Sequence, residues 1–383
     1  MKLSGILLAA PLALAAPILE GRGETIPGRW IVVMNEDSSH ESMASSMADI
    51  AGDLTPKHTY NMGMFKGYTM EASEDLISSI ANLAEVAYVE ADVKVSIASL
   101  QTQAQAPWGL ARISSHVAGT TEYIYDESAG ADTYAYIIDT GIYLAHPEFE
   151  GRASFGASFV EGDDTDTDGN GHGTHVAGTT GSATYGVAKK TNLIAVKVLD
   201  ADGSGALSQV IAGIQWAVDD ATSKGRIAKS VANMSLGALS LGTSTVNTAA
   251  KAAVAAGLFI AAAAGNNDLP AVIFSPASEA TVCTVGATAS NDTRAYFSNY
   301  GTAIDVWAPG VGVLSTYKNG STAVLSGTSM STPHVTGLAA YLLALEGERD
   351  PVALCQRIQE LGTQDAVGDS ESDNSMIVYN GNA

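Results

Sequence analysis

After residue 28 the apolar and polar positions change period repeatedly along the chain. Arg29 to Met34 (RWIVVM) is strand-like, Ser42 to Ile50 has helical spacing, and Lys66 to Glu71 returns to a strand pattern. Glu74 to Ala84 sets Ile77, Ile80 and Leu83 on one helical face, with Ser73 placed to cap the first turn. Val86 to Val95 is again strand-like, so this part predicts a small α/β sandwich ending near Ile97. Ser99 to Ala106 (SLQTQAQA) is small, polar and aperiodic, which predicts a linker or a cleavage site.

Beyond it the pattern changes. Tyr134 to Asp139 (YAYIID), Asn192 to Leu199, Ser230 to Met234 and Leu258 to Ala264 are short, continuously apolar strands. Helical segments, Leu207 to Ser223 and Ser244 to Ala256, lie among them. Such an alternation predicts a parallel sheet covered by helices on both faces. Chemistry in these sheets collects at the carboxyl ends of the strands.

Composition narrows the class. The 383 residues are 46% hydrophobic but only 7% aromatic, with 39 glycines, so the core must be built from small, closely packed side chains. A formal charge of -22 argues against nucleic acid and anionic membrane surfaces as partners. The N-terminus, MKLSGILLAAPLALAAP, has Lys2, an apolar run from Ile6 to Ala16 and an A-x-A site at Ala13 to Ala15, which together read as a secretory signal. The run is too short to span a membrane. Export to the extracellular space, or to a vacuole-like compartment, follows as the expectation. Cys283 and Cys355 then favour one disulfide, with two buried free thiols as the alternative.

Three small-residue motifs fall where a site is expected. Asp139 ends a strand and precedes Thr140 and Gly141, His172 lies in GHGTHVAG, and Ser329 lies in SGTSMSTPHVTG at a turn leading into a helix. Serine needs a base within hydrogen-bond reach and a carboxylate to orient that base. Acyl transfer also needs donors for the oxyanion. The Asn266 amide, directly after an apolar strand and Gly265, is one expected donor and the Ser329 backbone N–H the other. The order Asp, His, Ser and the GTSMS sequence exclude an α/β-hydrolase elbow.

At these residues the chain resembles the subtilisin-like serine proteases of the proteinase K subfamily. The resemblance runs through APWGLARIS, YDESAG, IDTGI, HPEFEGRA, DGNGHGTHVAGT, VKVLD, AAGNN, SPASEATVCTVGA and LSGTSMSTPHV, from Gln101 to about Leu361. It implies an α/β fold, a subtilisin-like parallel sheet flanked by helices on both faces, preceded by a small α+β ferredoxin-like prodomain. The domains implied are a signal peptide at 1–15, an inhibitory propeptide at 16–100 and a peptidase domain at 101–383.

The function implied is a monomeric, secreted endopeptidase acting on protein and peptide substrates, with Asp139, His172 and Ser329 as triad and Asn266 in the oxyanion hole. Its own propeptide is the implied intramolecular inhibitor, released by self-cleavage near Ser99 to Gln101. Substrate would add as a strand between Gly203, Ser204 and Gly205 on one side and Ser235, Leu236 and Gly237 on the other. The S1 walls, Ser235 to Gly237 and Ala263, Ala264 and Gly265, carry no charge, so apolar or aromatic P1 residues are expected. The resemblance implies no cofactor for catalysis, a structural Ca²⁺ on Asp305 and the carbonyls of Ala280 and Val282, and a Cys283–Cys355 disulfide.

The alternative is an inactive calcium-binding or inhibitory protein on a protease scaffold, for which a complete triad has no use. The stretch DDTDTDGNGHGTHVAG also has a calcium-loop look. Counted from Asp164, however, its twelfth position is His175, where such a loop needs a bidentate glutamate. The carboxylates therefore read by default as a solvated acidic approach to His172, the alternatives being a modest rise in its pKa or weak binding of a cation. Asn233, Asn291 and Asn319 begin glycosylation sequons, the first of them within the expected substrate wall.

Overall fold

The structure is a computed structural model that describes residues 15–19, 25–51, 55–94, 99–163, 165–240 and 244–382. Nearly all of the expected signal peptide, residues 1–14, lies outside them. The chain divides into two compact units, Met1–Ile97 and Ala98–Ala383.

In the first unit a five-stranded sheet comprises β1 (Ile18–Leu19), β2 (Thr25–Met34), β3 (His58–Met62), β4 (Phe65–Glu71) and β5 (Val86–Val93), in the order β1-β5-β2-β4-β3. Helices α1 (His40–Ala51) and α2 (Glu74–Ala81) accompany it. Met43 and Met47 of α1 and Ile77 and Ile80 of α2 bury against Val32, Met34, Tyr68, Met70 and Val89. Ser73 caps α2 as expected, accepting the Leu76 N–H. The helix ends at Ala81 rather than Ala84, because the Asn82 N–H closes its last turn on Ser79 and Ile80.

The second unit opens with a correction. Leu100–Gln103 is not a linker but a strand, β6, paired antiparallel with β7 (Tyr123–Asp126) on either side of α3 (Trp108–Ile113). Further on come β8 (Tyr134–Asp139), β9 (Ala153–Ser158), α4 (His172–Gly181), β10 (Asn192–Lys197), α5 (Leu207–Ser223), β11 (Ser230–Met234), β12 (Ala238–Leu239), α6 (Thr245–Ala255), β13 (Phe259–Ala263) and β14 (Phe274–Ser275). The remainder is β15 (Cys283–Thr288), β16 (Val306–Pro309), β17 (Val313–Tyr317), β18 (Ser321–Leu325), α7 (Thr328–Glu346) and α8 (Pro351–Leu361). Seven strands form one parallel sheet, ordered β16-β15-β13-β11-β8-β10-β9.

The apolar run of β8 is continuous because both its faces are covered. Ala135 and Ile137 pack with Val176 of α4 and Val335 and Leu338 of α7. Tyr136 and Ile138 point the other way, toward Val210 and Ile214 of α5 and Val246 of α6. From β8 the chain passes to β9 at the sheet edge, returns to β10 between the two, then crosses to β11 on the other side of β8. The carboxyl ends of β8 and β11 thus flank the topological switch point, where open α/β sheets hold their ligands.

Cys283, at the start of β15, is bonded to Cys355 of α8, so the alternative of two free thiols is set aside. Closing this span of 72 residues contributes about 4 kcal/mol in the chain-entropy account. The C-terminal segment is stitched back into the unit. Val378 N–H donates to Trp307 O, Asn380 N–H to Ile113 O, and the Asn380 amide to Ile124 O.

Two histidines are buried on the α4–α7 side. His175 donates from Nε2 to the carbonyls of Val313 and Ala323, and His334 from Nδ1 to Met330 O. Burial pushes each imidazole down to about 4, against backbone hydrogen bonds that pull the other way. Because these folded-state values lie below the ordinary 6.5, both rings stabilise the fold above pH 6.5, and that contribution is lost as pH falls toward 4. The loss is about 3 kcal/mol per histidine. Urea unfolding midpoints are expected to drop steeply between pH 7 and 4.5, and His334→Gln is expected to flatten that slope.

Candidate functional site

Asp139 is the last residue of β8 and is fully buried. Its Oδ1 accepts the Thr140 N–H at 2.7 Å, and His172 Nδ1 lies 2.8 Å from Oδ1 and 3.0 Å from Oδ2. A carboxylate without solvent needs such donors, since an unpaired buried charge is expensive. With Nδ1–H donating to Asp139, the lone pair of His172 falls on Nε2, the edge turned away from the carboxylate. The helix bearing His172 comes this close because Gly173 has no side chain. A Cβ there would sit 2.1 Å from the Gly141 carbonyl oxygen.

Burial lowers the pKa of His172, but the charges of Asp139 and Asp168 and the Asp139 hydrogen bond outweigh it and leave it raised. A raised His172 pKa is one of the roles the sequence leaves open for these carboxylates, and the burial of Asp168 corrects the solvated default. Asp163 is partly covered and lies 3.5 Å from the Lys197 ammonium, Asp166 is exposed, and Asp168 is buried. Asp164 lies outside the described residues.

Ser329 is the second residue of α7, which packs on α4. Its placement depends on Pro333 inside the same helix. Proline has no N–H, so the Ser329 carbonyl, four residues earlier, loses its helical partner. The Ser235 hydroxyl takes that carbonyl at 2.8 Å, while the Ser329 hydroxyl donates to Ser235 O at 3.1 Å. This reciprocal clasp ties the helix start to the end of β11. The Ser329 hydroxyl rests on Ser235 in this structure and, among the described residues, makes no hydrogen bond to His172.

Asn266 is exposed, and its Oδ1 accepts the Thr328 N–H at 2.8 Å and the Thr328 hydroxyl at 3.0 Å. Anchoring the oxygen leaves Nδ2 as the free end of the amide, next to the start of α7. Gly265 is held by the Thr328 hydroxyl, has φ +103°, and offers no room for a Cβ, which would lie 2.3 Å from the Asn299 amide. The chain must therefore turn here on a glycine.

The remaining expected residues lie around this centre. Ser235 is buried, Leu236 partly covered and Gly237 exposed, while Ala263 and Ala264 are buried ahead of Gly265. Gly203, Ser204 and Gly205 form an exposed loop, joined to the His172 loop by the Asn170 amide on Ala201 O at 2.9 Å. Asn233 is buried, with its amide on the Ser235 hydroxyl and its oxygen on Thr336, so it offers no glycan acceptor in the folded chain.

Asp305 stands apart from this centre, beside the start of β15, and accepts the Thr284 N–H at 2.8 Å. Burial pushes its carboxyl up to about 6 against that bond. Among the described residues no group of three or more His, Cys, Asp or Glu is clustered as a metal site. Sequence reasoning missed Thr140, Thr174, Thr328 and Lys197, and mistook Asp168. The available signal was the spacing of Asp168 four residues before His172, with small residues between them.

A parallel sheet that presents a buried carboxylate, an imidazole and a helix-start serine at its carboxyl edge has the architecture of a serine hydrolase. Comparison with known proteins narrows the class. Residues 130–375 match the subtilase family and residues 29–98 match peptidase inhibitor I9. A subtilisin-like protease of Coccidioides posadasii is 46% identical, over 99% of this chain and 98% of its own. The subtilisin-like serine protease AsES of Sarocladium strictum is 44% identical, over 100% and 99%. The crystal structure of a cold adapted subtilisin-like serine proteinase aligns with a TM-score of 0.68 and 39% identity, over 72% of this chain and 99% of that one. The chain belongs to the subtilase family: it is a serine protease carrying an I9-type inhibitor propeptide domain.

With the His172 pKa raised, its imidazole is expected to titrate above pH 6.5 in ¹H–¹⁵N spectra. Asp139→Asn is expected to bring that titration down, because it removes the larger of the two anionic contributions.

Proposed function

We propose that the chain is a secreted endopeptidase in which Asp139, His172 and Ser329 form the catalytic triad. The observation that carries this reading is the Asp139–His172 pair at the sheet's carboxyl edge, with Ser329 on a helix packed against the helix of His172. His172 Nε2 takes the Ser329 proton as Oγ attacks the scissile carbonyl. The oxyanion is met by the Asn266 Nδ2 and the Ser329 backbone N–H, each such donor contributing about 10²- to 10³-fold in rate. The imidazolium, stabilised by Asp139, then protonates the leaving amine, and water releases the acyl group from Ser329 by the reverse proton path.

Substrate lies as an added strand between Gly203 to Gly205 and Ser235 to Gly237. The uncharged walls, with the methyls of Ala263 and Ala264 and no side chain at Gly265, favour apolar or aromatic P1 residues with broad specificity. Self-cleavage near Ser99 to Gln101 releases the propeptide. The pairing of Leu100 to Gln103 with β7, and the Glu127 N–H on Ser99 O, favour a cut at the outer edge of β6 over one within it. In the full-length chain, Ser329→Ala is expected to remain uncleaved near Ser99 and to leave casein intact. A Ser329→Ala chain that matures alone and digests casein overturns the assignment.

A structural Ca²⁺ on Asp305 and the carbonyls of Ala280 and Val282 is the second part of the reading. Its support is a buried carboxyl whose ionisation burial opposes and a cation would restore, with oxygen donors of the type calcium takes. Calcium is expected to raise the melting temperature and chelation to lower it, and Asp305→Asn is expected to abolish that dependence.

A further inference from the structure

Asp168 is 3% exposed, yet its carboxylate accepts five hydrogen bonds. Oδ1 takes the Thr140 hydroxyl at 2.9 Å, the Asn170 N–H at 3.0 Å and the Gly171 N–H at 2.8 Å. Oδ2 takes the Thr174 N–H at 2.9 Å and its hydroxyl at 2.6 Å. The Thr140 hydroxyl accepts the Gly173 N–H at 2.9 Å, and the Thr174 hydroxyl accepts the Tyr143 N–H at 2.9 Å. Gly171, at the N-cap of α4, has no side chain with which to satisfy the first-turn donors. Asp168 supplies that cap from three residues upstream, and its bond from the Thr140 hydroxyl fastens it to the residue that follows Asp139.

We propose that Asp168 is a positioning residue for His172, clamping the first turn of α4 to the end of β8 so that the imidazole is held against Asp139. The proposal rests on the reading of His172 as the base. The charged and titratable groups around the imidazole are Asp139 from β8, Asp168 from the preceding loop and His175 one turn along α4. Beyond Thr140 lies Lys197 of β10, whose ammonium donates to the Thr140 carbonyl and faces Asp163. Asp168 acts on the titration of His172 in the same direction as Asp139.

The test uses full-length chains. Asp168→Asn keeps the size, removes the charge and turns an NH₂ group toward donors. It is expected to lower kcat about 10- to 100-fold through misplacement of the base, with KM within about twofold of the parent. Asp166→Asn, at an exposed position of the same loop, is expected to change neither. In a Ser329→Ala background, where no turnover is needed, Asp168→Asn is expected to move the His172 imidazole titration to lower pH.

Should Asp168→Asn fail to fold, the Thr140 pair decides: Thr140→Val is expected to lose kcat at constant KM, and Thr140→Ser to recover most of that loss. Parental kcat and an unmoved His172 titration in Asp168→Asn overturn the proposal, as does equal loss in Thr140→Ser and Thr140→Val. Failure of the triad reading is separate and shows as activity in Ser329→Ala alone, while the imidazole titration still decides on Asp168.

Discussion

Asp139 sets a constraint that its surroundings satisfy one after another. A carboxylate at the end of a strand buried on both faces has no water to solvate it, so protein donors must come to it. The Thr140 N–H and the His172 imidazole do so, and the helix carrying His172 can approach only because Gly173 is bare beside the Gly141 carbonyl. The small-residue composition, which at first says only that the core is tightly packed, has a local purpose here. Glycines and threonines let strand ends and helix starts come close enough for single hydrogen bonds to join them.

The serine half is built by the opposite device, a bond withheld. Pro333 denies the Ser329 carbonyl its helical donor, and the Ser235 side chain fills the place. A residue in the helix interior thereby dictates how the helix start meets the end of β11 and the Ser235 to Gly237 segment that follows it. Asn266 is oriented by a similar economy, its oxygen committed to Thr328 so that its nitrogen remains available.

Much of this was legible before the structure. The central strands were readable because their apolar runs are continuous and bounded by turns, α5 because its apolar residues recur at helical spacing, and Asp139, His172, Ser329 and Asn266 because each sits in a small-residue motif at or past the end of a strand or at the start of a helix. The buried strands β15 and β16 went unread as well, but the rest of what escaped is physically different. Strand β3 (HTYNM), largely open to solvent, and strand β9 (ASFGAS), half-buried, lie at sheet edges and have no apolar pattern to declare them. Strand β6 is held by backbone pairing with β7 and by the Gln103 amide on Thr184 O, so polar, small residues suffice and mimic a linker. Asp168 was taken for a solvated charge because composition reports that a carboxylate is present and says nothing of the five donors that converge on it once the loop closes.

The return path of the C-terminal segment bears on a hazard particular to this class of molecule. Every neighbouring copy of a protease is a potential predator, and an extended, loosely held end is the easiest prey. Here the segment around Val378 and Asn380 is sewn to Trp307, Ile113 and Ile124, and the Cys283–Cys355 bond secures the helix that precedes it. A cut within this segment requires it to peel away first. The rate of such a cut is then set by how often that seam opens, a kinetic property of the fold rather than of the site.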